Sequence, residues 1–183
     1  MIKLDLTDLT SADPKVKYGC ARNLLTVAKE NPAELYPDFT FYAKLLDSEN
    51  NILKWTAIDV LGYLAKVDEA KQIDKQLEKL FALLDTGNLI TAVHAMTALA
   101  DIALAKPAFQ KRITVELLKV AHYKYATVEC SNIANGKVIL AFGAYFDKLT
   151  EREGVLSFVR RQTKNSRNAT KKKAEQFLRK YDK

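Results

Sequence analysis

Glycine, proline and cysteine are scarce in this sequence of 183 residues, and each shortage narrows the classes of fold or site that the chain can form. Only six Gly and four Pro occur. Because both residues are costly inside helices, their scarcity favours an all-α fold. Cys20 and Cys130 lie far apart, and neither has a second Cys or a His at metal-ligand spacing. We expect both thiols to be small buried hydrophobic groups in a reducing compartment.

Sequence patterns typical of catalysis are absent as well. The two histidines, His94 and His122, cannot assemble a zinc cluster of the usual spacing. No Gly-rich phosphate loop, no Gly-x-Ser-x-Gly elbow and no Cys-x-x-Cys motif occurs. We therefore expect a protein that is not an enzyme and binds no cofactor or metal. The alternative is an active site assembled from polar groups on several helices, which nothing in the sequence indicates.

Long apolar runs are also missing, beginning with the first ten residues. The segment MIKLDLTDLT mixes acidic with apolar side chains, so it indicates neither a signal peptide nor a transmembrane helix. We therefore expect a cytoplasmic protein that makes no membrane contact.

Positive charge is concentrated at the C-terminal end of the chain. Residues 1–149 hold 18 Lys and Arg against 18 Asp and Glu, whereas residues 150–183 hold 11 against 4. The C-terminal segment therefore carries the whole net charge of +7. Any electrostatic attraction to an acidic partner is expected to act at that end.

A helical pattern recurs five times, at intervals of 36, 38, 41 and 38 residues. Each copy begins with a small residue, continues with residues three and four positions later, and ends at position seven. This spacing places all four side chains on one stripe of a helix, and the small residue lets a neighbouring helix approach closely. The five sets are Ala21, Leu24, Leu25, Ala28; Ala57, Val60, Leu61, Leu64; Ala95, Ala98, Leu99, Ile102; Gly136, Ile139, Leu140, Gly143; and Ala174, Phe177, Leu178, Tyr181.

A second amphipathic stretch lies between successive sets, so each repeat is predicted to be a hairpin of two helices. Prolines and helix-capping residues separate these stretches. The sequence thus predicts an all-α fold of about four and a half hairpins. The nine predicted helices lie near residues 14–30, 35–46, 51–66, 70–84, 89–105, 108–123, 128–147, 151–164 and 167–181.

Residues 45–65, LLDSENNILKWTAIDVLGYLA, resemble a repeat of the HEAT family, which forms armadillo-type α-solenoids. Asp47 occupies the turn between the two helices, Lys54 follows a hydrophobic residue, and Ala57 precedes a Leu-Gly-x-Leu-Ala ending. The periodicity covers nearly the whole chain, which is similar to small, prokaryotic-like HEAT-repeat proteins. The fourth unit departs from the pattern, since it carries Gly136 instead of Ala and is three residues longer.

The resemblance implies a right-handed superhelix in which the second helix of each pair lines a concave face. It also implies a scaffold or adaptor role, with a protein or peptide as the partner, and no chemistry. We expect a single domain over residues 1–183, with an N-terminal cap segment at 1–13, a neutral repeat body at 14–149 and a basic capping repeat at 150–183. The cap segment has Ile2, Leu4, Leu6 and Leu9 to cover the first helix, which predicts a monomer.

The predicted concave face is polar at its ends and apolar in the third and fourth repeats. One interpretation is that the repeats curl tightly enough to cover Val93, Leu104 and Val138. The other is a groove, flanked by Trp55 and Tyr145, that receives an extended peptide or a partner helix. Trp55 is the first candidate for a binding hot spot. The residues predicted to bind a partner are Trp55, Asp59, Lys66, Val93, Thr97, Leu104, Val138 and Tyr145.

The basic C-terminal helices form a second candidate surface, again with two interpretations. A terminal repeat must turn a polar face to water, so the charges can be those of a solvated cap. Alternatively, they bind the phosphates of duplex nucleic acid or an acidic protein surface, with strong salt dependence. The residues predicted to bind phosphate or an acidic partner are Arg160, Arg161, Lys164, Arg167, Lys171, Lys172, Lys173 and Arg179.

Overall fold

The computed structural model describes residues 5–182, and within that range helices are joined by turns without a β-strand. The predicted all-α class is therefore confirmed. The chain divides into two compact units, Met1–Gln76 and Leu77–Lys183. Two residues of the predicted N-terminal cap, Ile2 and Leu4, lie outside the described residues. The single domain expected over 1–183 stays a prediction.

The two longest helices of the first unit begin at capped turns. The Asp13 carboxylate accepts a hydrogen bond from the amide of Lys15 (2.8 Å). Asn50 accepts from the amide of Ile52 (3.0 Å). Such caps satisfy amides that have no partner within the helix. The α-helices are α1 (Pro14–Glu30), α2 (Pro32–Leu35), α3 (Phe39–Leu45) and α4 (Asn51–Leu64), and 3-10 turns cover Leu6–Thr10, Tyr36–Asp38, Ala65–Val67 and Ile73–Gln76.

The two longest helices of the second unit are capped in the same way. Asn88 accepts from the Thr91 amide (3.1 Å) and Thr127 from the Cys130 amide (3.1 Å). Gly87, with φ of 73°, allows the left-handed turn that precedes the first of these caps. The α-helices are α5 (Leu77–Ala82), α6 (Leu89–Ala105), α7 (Gln110–Lys119), α8 (Val128–Tyr145), α9 (Glu153–Gln162) and α10 (Asn168–Tyr181), and 3-10 turns cover Leu83–Asp85, Pro107–Phe109, Val120–His122 and Phe146–Lys148.

Each of the nine predicted helical segments contains helix, and the bounds of α1 and α6 are the predicted ones. The largest departure is the segment predicted at 35–46. It divides into α2, a 3-10 turn and α3, because Pro37 has no amide proton to donate to an α-helical hydrogen bond. The predicted segment at 70–84 also departs from a continuous helix, since only the six residues of α5 form an α-helix and 3-10 turns flank them on both sides.

The core of the first unit forms around α4, which contacts α1 and α3. The predicted stripe of α4, from Ala57 to Leu64, is fully buried at its four positions. Leu9 is buried and its 3-10 turn contacts α1, as expected of a cap segment. Cys20 is buried as predicted, and burial is the main reason that the pKa of its thiol is raised. The other cysteine, Cys130, is only half-buried, so the expectation of burial was wrong there.

The helices of the second unit form two layers. In one layer α6 contacts α8 and α8 contacts α10, and in the other α7 contacts α9. Aromatic side chains fill the space between them: Phe142 of α8 meets Phe158 of α9 edge to face, with ring centroids 6.0 Å apart. Tyr145 of α8 is buried, and its hydroxyl shares a hydrogen bond with Thr114 of α7 (2.9 Å). These contacts fix which side of α8 faces the layer of α7 and α9.

The predicted buried stripe of α8 was confirmed at Gly136 and Ile139, which are buried, and was wrong at Leu140, which is 51% exposed. Val138 and Tyr145, which the sequence placed on an open face, are buried instead. Gly136, the small residue of the predicted stripe, faces α10 rather than α7 and α9. A Cβ at Gly136 would lie 2.7 Å from the hydroxyl oxygen of Thr170. The glycine thus permits the close approach of the Thr170 side chain. The buried side of α8 also carries the aromatic residues of the helix.

Candidate interaction surface

Three of the predicted partner-binding residues belong to the first unit. Trp55 and Asp59 are half-buried on α4, and Lys66 is exposed in the following 3-10 turn. Their spacing of four and seven places them on one side of the helix. The ammonium group of Lys66 lies 5.6 Å from the ring centroid of Tyr63. Their role in binding stays a prediction.

On α6 the structure leaves the predicted residues accessible. Thr97 is exposed, and Val93 and Leu104 are half-buried. Ile90 is 52% exposed on the same side of the helix, one turn before Val93, and was not among the predicted residues. The Thr97 hydroxyl donates to the carbonyl of Val93 (3.0 Å). His94 and Asp101 are also half-buried on this side of α6, which therefore presents both apolar and polar groups.

On α8 the structure corrects both predicted residues. Val138 and Tyr145 are buried, so neither is available to a partner. Burial also raises the pKa of Tyr145 to about 12. Solvent meets the opposite side of the helix, which carries Ile133, Lys137, Leu140 and Ala144. The aromatic pair Phe142 and Tyr145, three residues apart, was the signal in the sequence for the true buried stripe.

Three cations converge where α8 approaches α10. Lys173 of α10 is half-buried, and its Nζ would lie 3.6 Å from a Cβ on Gly136. Burial lowers the pKa of Lys173, and the nearby charges of Lys137 and Arg167 lower it further. Arg167 donates to Glu129 (2.6 Å), whereas no acidic side chain in residues 5–182 pairs with Lys137 or Lys173. The α8–α10 boundary is therefore a place of uncompensated positive charge.

Ion pairs neutralise part of the predicted basic surface. Arg160 binds Asp182 with two hydrogen bonds (2.8 and 2.7 Å) and Glu153 with a third (2.9 Å). Lys171 lies 4.0 Å from Glu175. Arg161 donates to the hydroxyl of Ser157 (3.2 Å). Three other predicted residues are exposed and form no ion pair within the described part of the chain: Lys164, Lys172 and Arg179.

A cavity of about 590 Å³ lies between α7 and the segment that joins α8 to α9. Val115 and Leu118 of α7 line it, and the pair of Lys111 with Glu151 (2.7 Å) also borders it. Its buried polar side chains are already satisfied: Gln110 donates to the carbonyl of Ala103, and Thr114 bonds Tyr145. Nothing in the sequence indicated this cavity, and it has no buried polar group left to orient a ligand.

Two other kinds of feature are missing from residues 5–182. No group of three or more His, Cys, Asp or Glu side chains in this range is arranged to hold a metal ion. None of the helices in the same range is long and apolar enough to cross a membrane.

Comparison with known proteins gives a likeness of fold. No family model matches the chain, and no curated protein matches it. Among solved structures, the chain is similar to an engineered protein, Northeast Structural Genomics Consortium target OR329, with a TM-score of 0.56 and 21% sequence identity. The similarity covers 94% of this chain and 76% of that chain. At this identity the likeness concerns the fold alone.

Proposed function

We propose that both units are stacks of HEAT-like helix pairs, and that the second unit is a protein-interaction module without enzymatic activity. The repeated contacts α6 to α8 to α10, beside α7 to α9, are what stacked pairs would produce. In the first unit, α4 carries the segment whose sequence resembles the HEAT repeat most closely.

The observation that supports an interaction role is the exposure of large apolar side chains on α6 and α8. Ile90 is 52% exposed and Leu140 is 51% exposed, and both belong to helices of the same layer. Val93 and Leu104 add partly exposed apolar surface on α6. Large apolar side chains exposed on a helical layer are typical of a surface that receives a peptide or a partner helix.

The test uses photo-crosslinking from two matched positions. Leu140 and Val115 are similarly exposed, at 51% and 48%, but Leu140 lies on α8 and Val115 on α7 in the other layer. A benzoyl-phenylalanine at each position is irradiated in a lysate of the cells that make the protein. We expect discrete protein adducts from position 140 and not from position 115.

A second variant links the adducts to the surface of α6. Ile90→Gln, introduced beside the crosslinker at position 140, is expected to reduce the adducts, because it removes exposed apolar surface from the same layer. Equal adducts from positions 140 and 115, or no adduct from either, would refute the proposed function.

Phosphate binding by the basic C-terminal helices is a second candidate, supported by the unpaired Lys164, Lys172 and Arg179. A mobility-shift titration with duplex DNA and RNA at low salt tests it. Binding that weakens steeply with added salt would support it, and no shift at low salt would remove it.

A further inference from the structure

We propose that the partner of the second unit is an acidic protein segment, which covers Leu140 with an apolar side chain and places carboxylates on Lys137 and Lys173. This inference rests on the proposed function and adds the chemistry of the partner. It joins two observations that lie side by side in the structure: exposed apolar surface on α8 and unpaired cations at the boundary of α8 and α10.

The side chains of α8 that would meet the partner share one side of the helix. Lys137, Leu140 and Ala144 follow at intervals of three and four residues. At about 100° per residue, Leu140 lies about 160° around the helix from Phe142, which contacts α9. The helix α10 occupies a third side, where the Thr170 hydroxyl donates to the carbonyl of Asn132 (2.7 Å). Leu140 is therefore directed to solvent beside α10.

The cations beside this apolar surface are held near one another without acidic partners. Lys137 follows Gly136 in α8, and the Nζ of Lys173 would lie 3.6 Å from a Cβ on Gly136, so the structure brings the two lysines to the same place. Burial and the charge of Lys137 lower the pKa of Lys173. An acidic group bound there would relieve both effects on Lys173, because a nearby opposite charge stabilises the charged form of a lysine. Charge complementarity thus selects an acidic occupant.

The same surface is better matched to a protein than to nucleic acid. Phosphate backbones are bound by many cations along a track, whereas here Arg160 and Arg167 are already held by carboxylates. Among the described residues of α8 and α10, no aromatic side chain is exposed, so none offers a face on which a base could stack. Leu140 and Ile133 instead offer apolar contacts, which an amphipathic helix or an extended peptide can use.

The experiment selects peptides from a random library against the whole chain and measures their affinity by fluorescence anisotropy. The charge variant is Lys137→Glu with Lys173→Glu. The matched control is Lys124→Glu with Lys148→Glu, which changes the net charge equally at exposed positions outside α8 and α10. The apolar variant is Leu140→Gln, and circular dichroism checks that each variant stays helical.

We expect the selected peptides to be rich in Asp and Glu and to contain large apolar residues. The charge variant should lower their affinity at least about tenfold, as expected for the loss of close charge pairs, and the control should change it far less. Leu140→Gln should also weaken binding. Added salt should weaken the wild-type complex and have little effect on the charge variant.

The possible failures are distinguishable. Selected peptides without an acidic excess that still depend on Leu140 would overturn the acidic partner and leave the proposed function intact. Peptides that bind Leu140→Gln as well as the wild type, or no peptide selected at all, would overturn both. Duplex DNA that binds more tightly than the peptides and is lost in the charge variant would replace the acidic protein with nucleic acid.

Discussion

Gly136 of α8 and Thr170 of α10 are in such close approach that no side chain fits between them. A Cβ on Gly136 would lie 2.7 Å from the Thr170 hydroxyl oxygen, which itself donates to the Asn132 carbonyl at 2.7 Å. Thr170 is fully buried, so its side chain cannot move aside without losing that hydrogen bond. This contact determines how α10 lies on α8, and so where Lys173 is held.

Gly136→Ala should therefore destabilise the second unit. Ala normally favours a helix over Gly by about 1 kcal/mol, but the clash with Thr170 should outweigh this and cost about 1–3 kcal/mol. Gly143→Ala is the matched control in the same helix, because nothing lies within 4 Å of its Cβ position. Urea denaturation followed by circular dichroism should show lower stability for the first variant and equal or higher stability for the second. A stabilised Gly136→Ala would contradict the close approach.

Tyr145→Phe tests whether Tyr145 of α8 is buried against α7, as the structure shows. Removing the hydroxyl breaks the buried hydrogen bond to Thr114 and should cost about 1 kcal/mol at neutral pH. Burial raises the pKa of Tyr145 to about 12, above the ordinary value of 10.0. A raised pKa gives stability that is present below pH 10 and is lost as the pH rises towards 12.

The wild type should consequently lose more stability than Tyr145→Phe over that alkaline range, as measured by urea denaturation at a series of pH values. Equal losses of stability in the two proteins would contradict the raised pKa of Tyr145.

In the first unit, Asp68 is a buried carboxylate whose removal should lower stability. Its carboxylate accepts hydrogen bonds from the Tyr36 hydroxyl (2.6 Å) and from the amides of Gln72 (2.7 Å) and Ile73 (3.1 Å). Asp68→Ala would leave several donors unsatisfied and should lower the free energy of unfolding by about 2–3 kcal/mol. Tyr36→Phe, which removes one of these bonds, should cost less. Equal effects of the two variants in denaturation experiments would show that the amide contacts contribute nothing.

The C-terminal end of α10 should be sensitive to acid. The Arg160 guanidinium, with two hydrogen bonds to Asp182, holds the pKa of that carboxyl below its ordinary value of 3.8. A lowered pKa means that the contact stabilises the folded state above pH 3.8 and is lost as the pH falls through the folded-state value. Protection of the amides near Tyr181 from hydrogen exchange, taken relative to the intrinsic exchange rate at each pH, should fall in acid, and Asp182→Asn should lower it at neutral pH. Unchanged exchange in that variant would indicate that the ion pair does not hold the helix end.

Local sequence signals were sufficient to predict where most of the helices lie, but not the 3-10 turns within 35–46 and 70–84. Apolar spacing and caps such as Asp13 and Asn88 give the bounds of α1 and α6, because these signals act within a few residues. In α8 the repeat pattern was less reliable, because it placed Leu140 on the buried stripe and Tyr145 on an open face, although the aromatic pair Phe142 and Tyr145 was a local signal for the side that is buried. Gly136 leaves room for the Thr170 side chain of α10. No local pattern in the sequence of α8 indicates that contact.

The candidate site was only partly predictable for the same reason. Lys173 was among the predicted basic residues, but Lys137 was not, because their proximity depends on the packing of α10 against α8. Leu140 was missed because an apolar residue at that spacing is usually buried. Exposure of a single leucine is decided by its neighbours in space.

The most direct test of whether the partner binds on α8 is methyl NMR of the whole chain. A selected acidic peptide is added in steps while the methyl signals of the second unit are followed. We predict that the methyl signals of Leu140 and Ile133 shift strongly, while those of Val115 and Leu118, which line the cavity beside α7, stay in place. Shifts centred on Val115 and Leu118, with Leu140 unchanged, would contradict binding on α8 and move the site to the other layer.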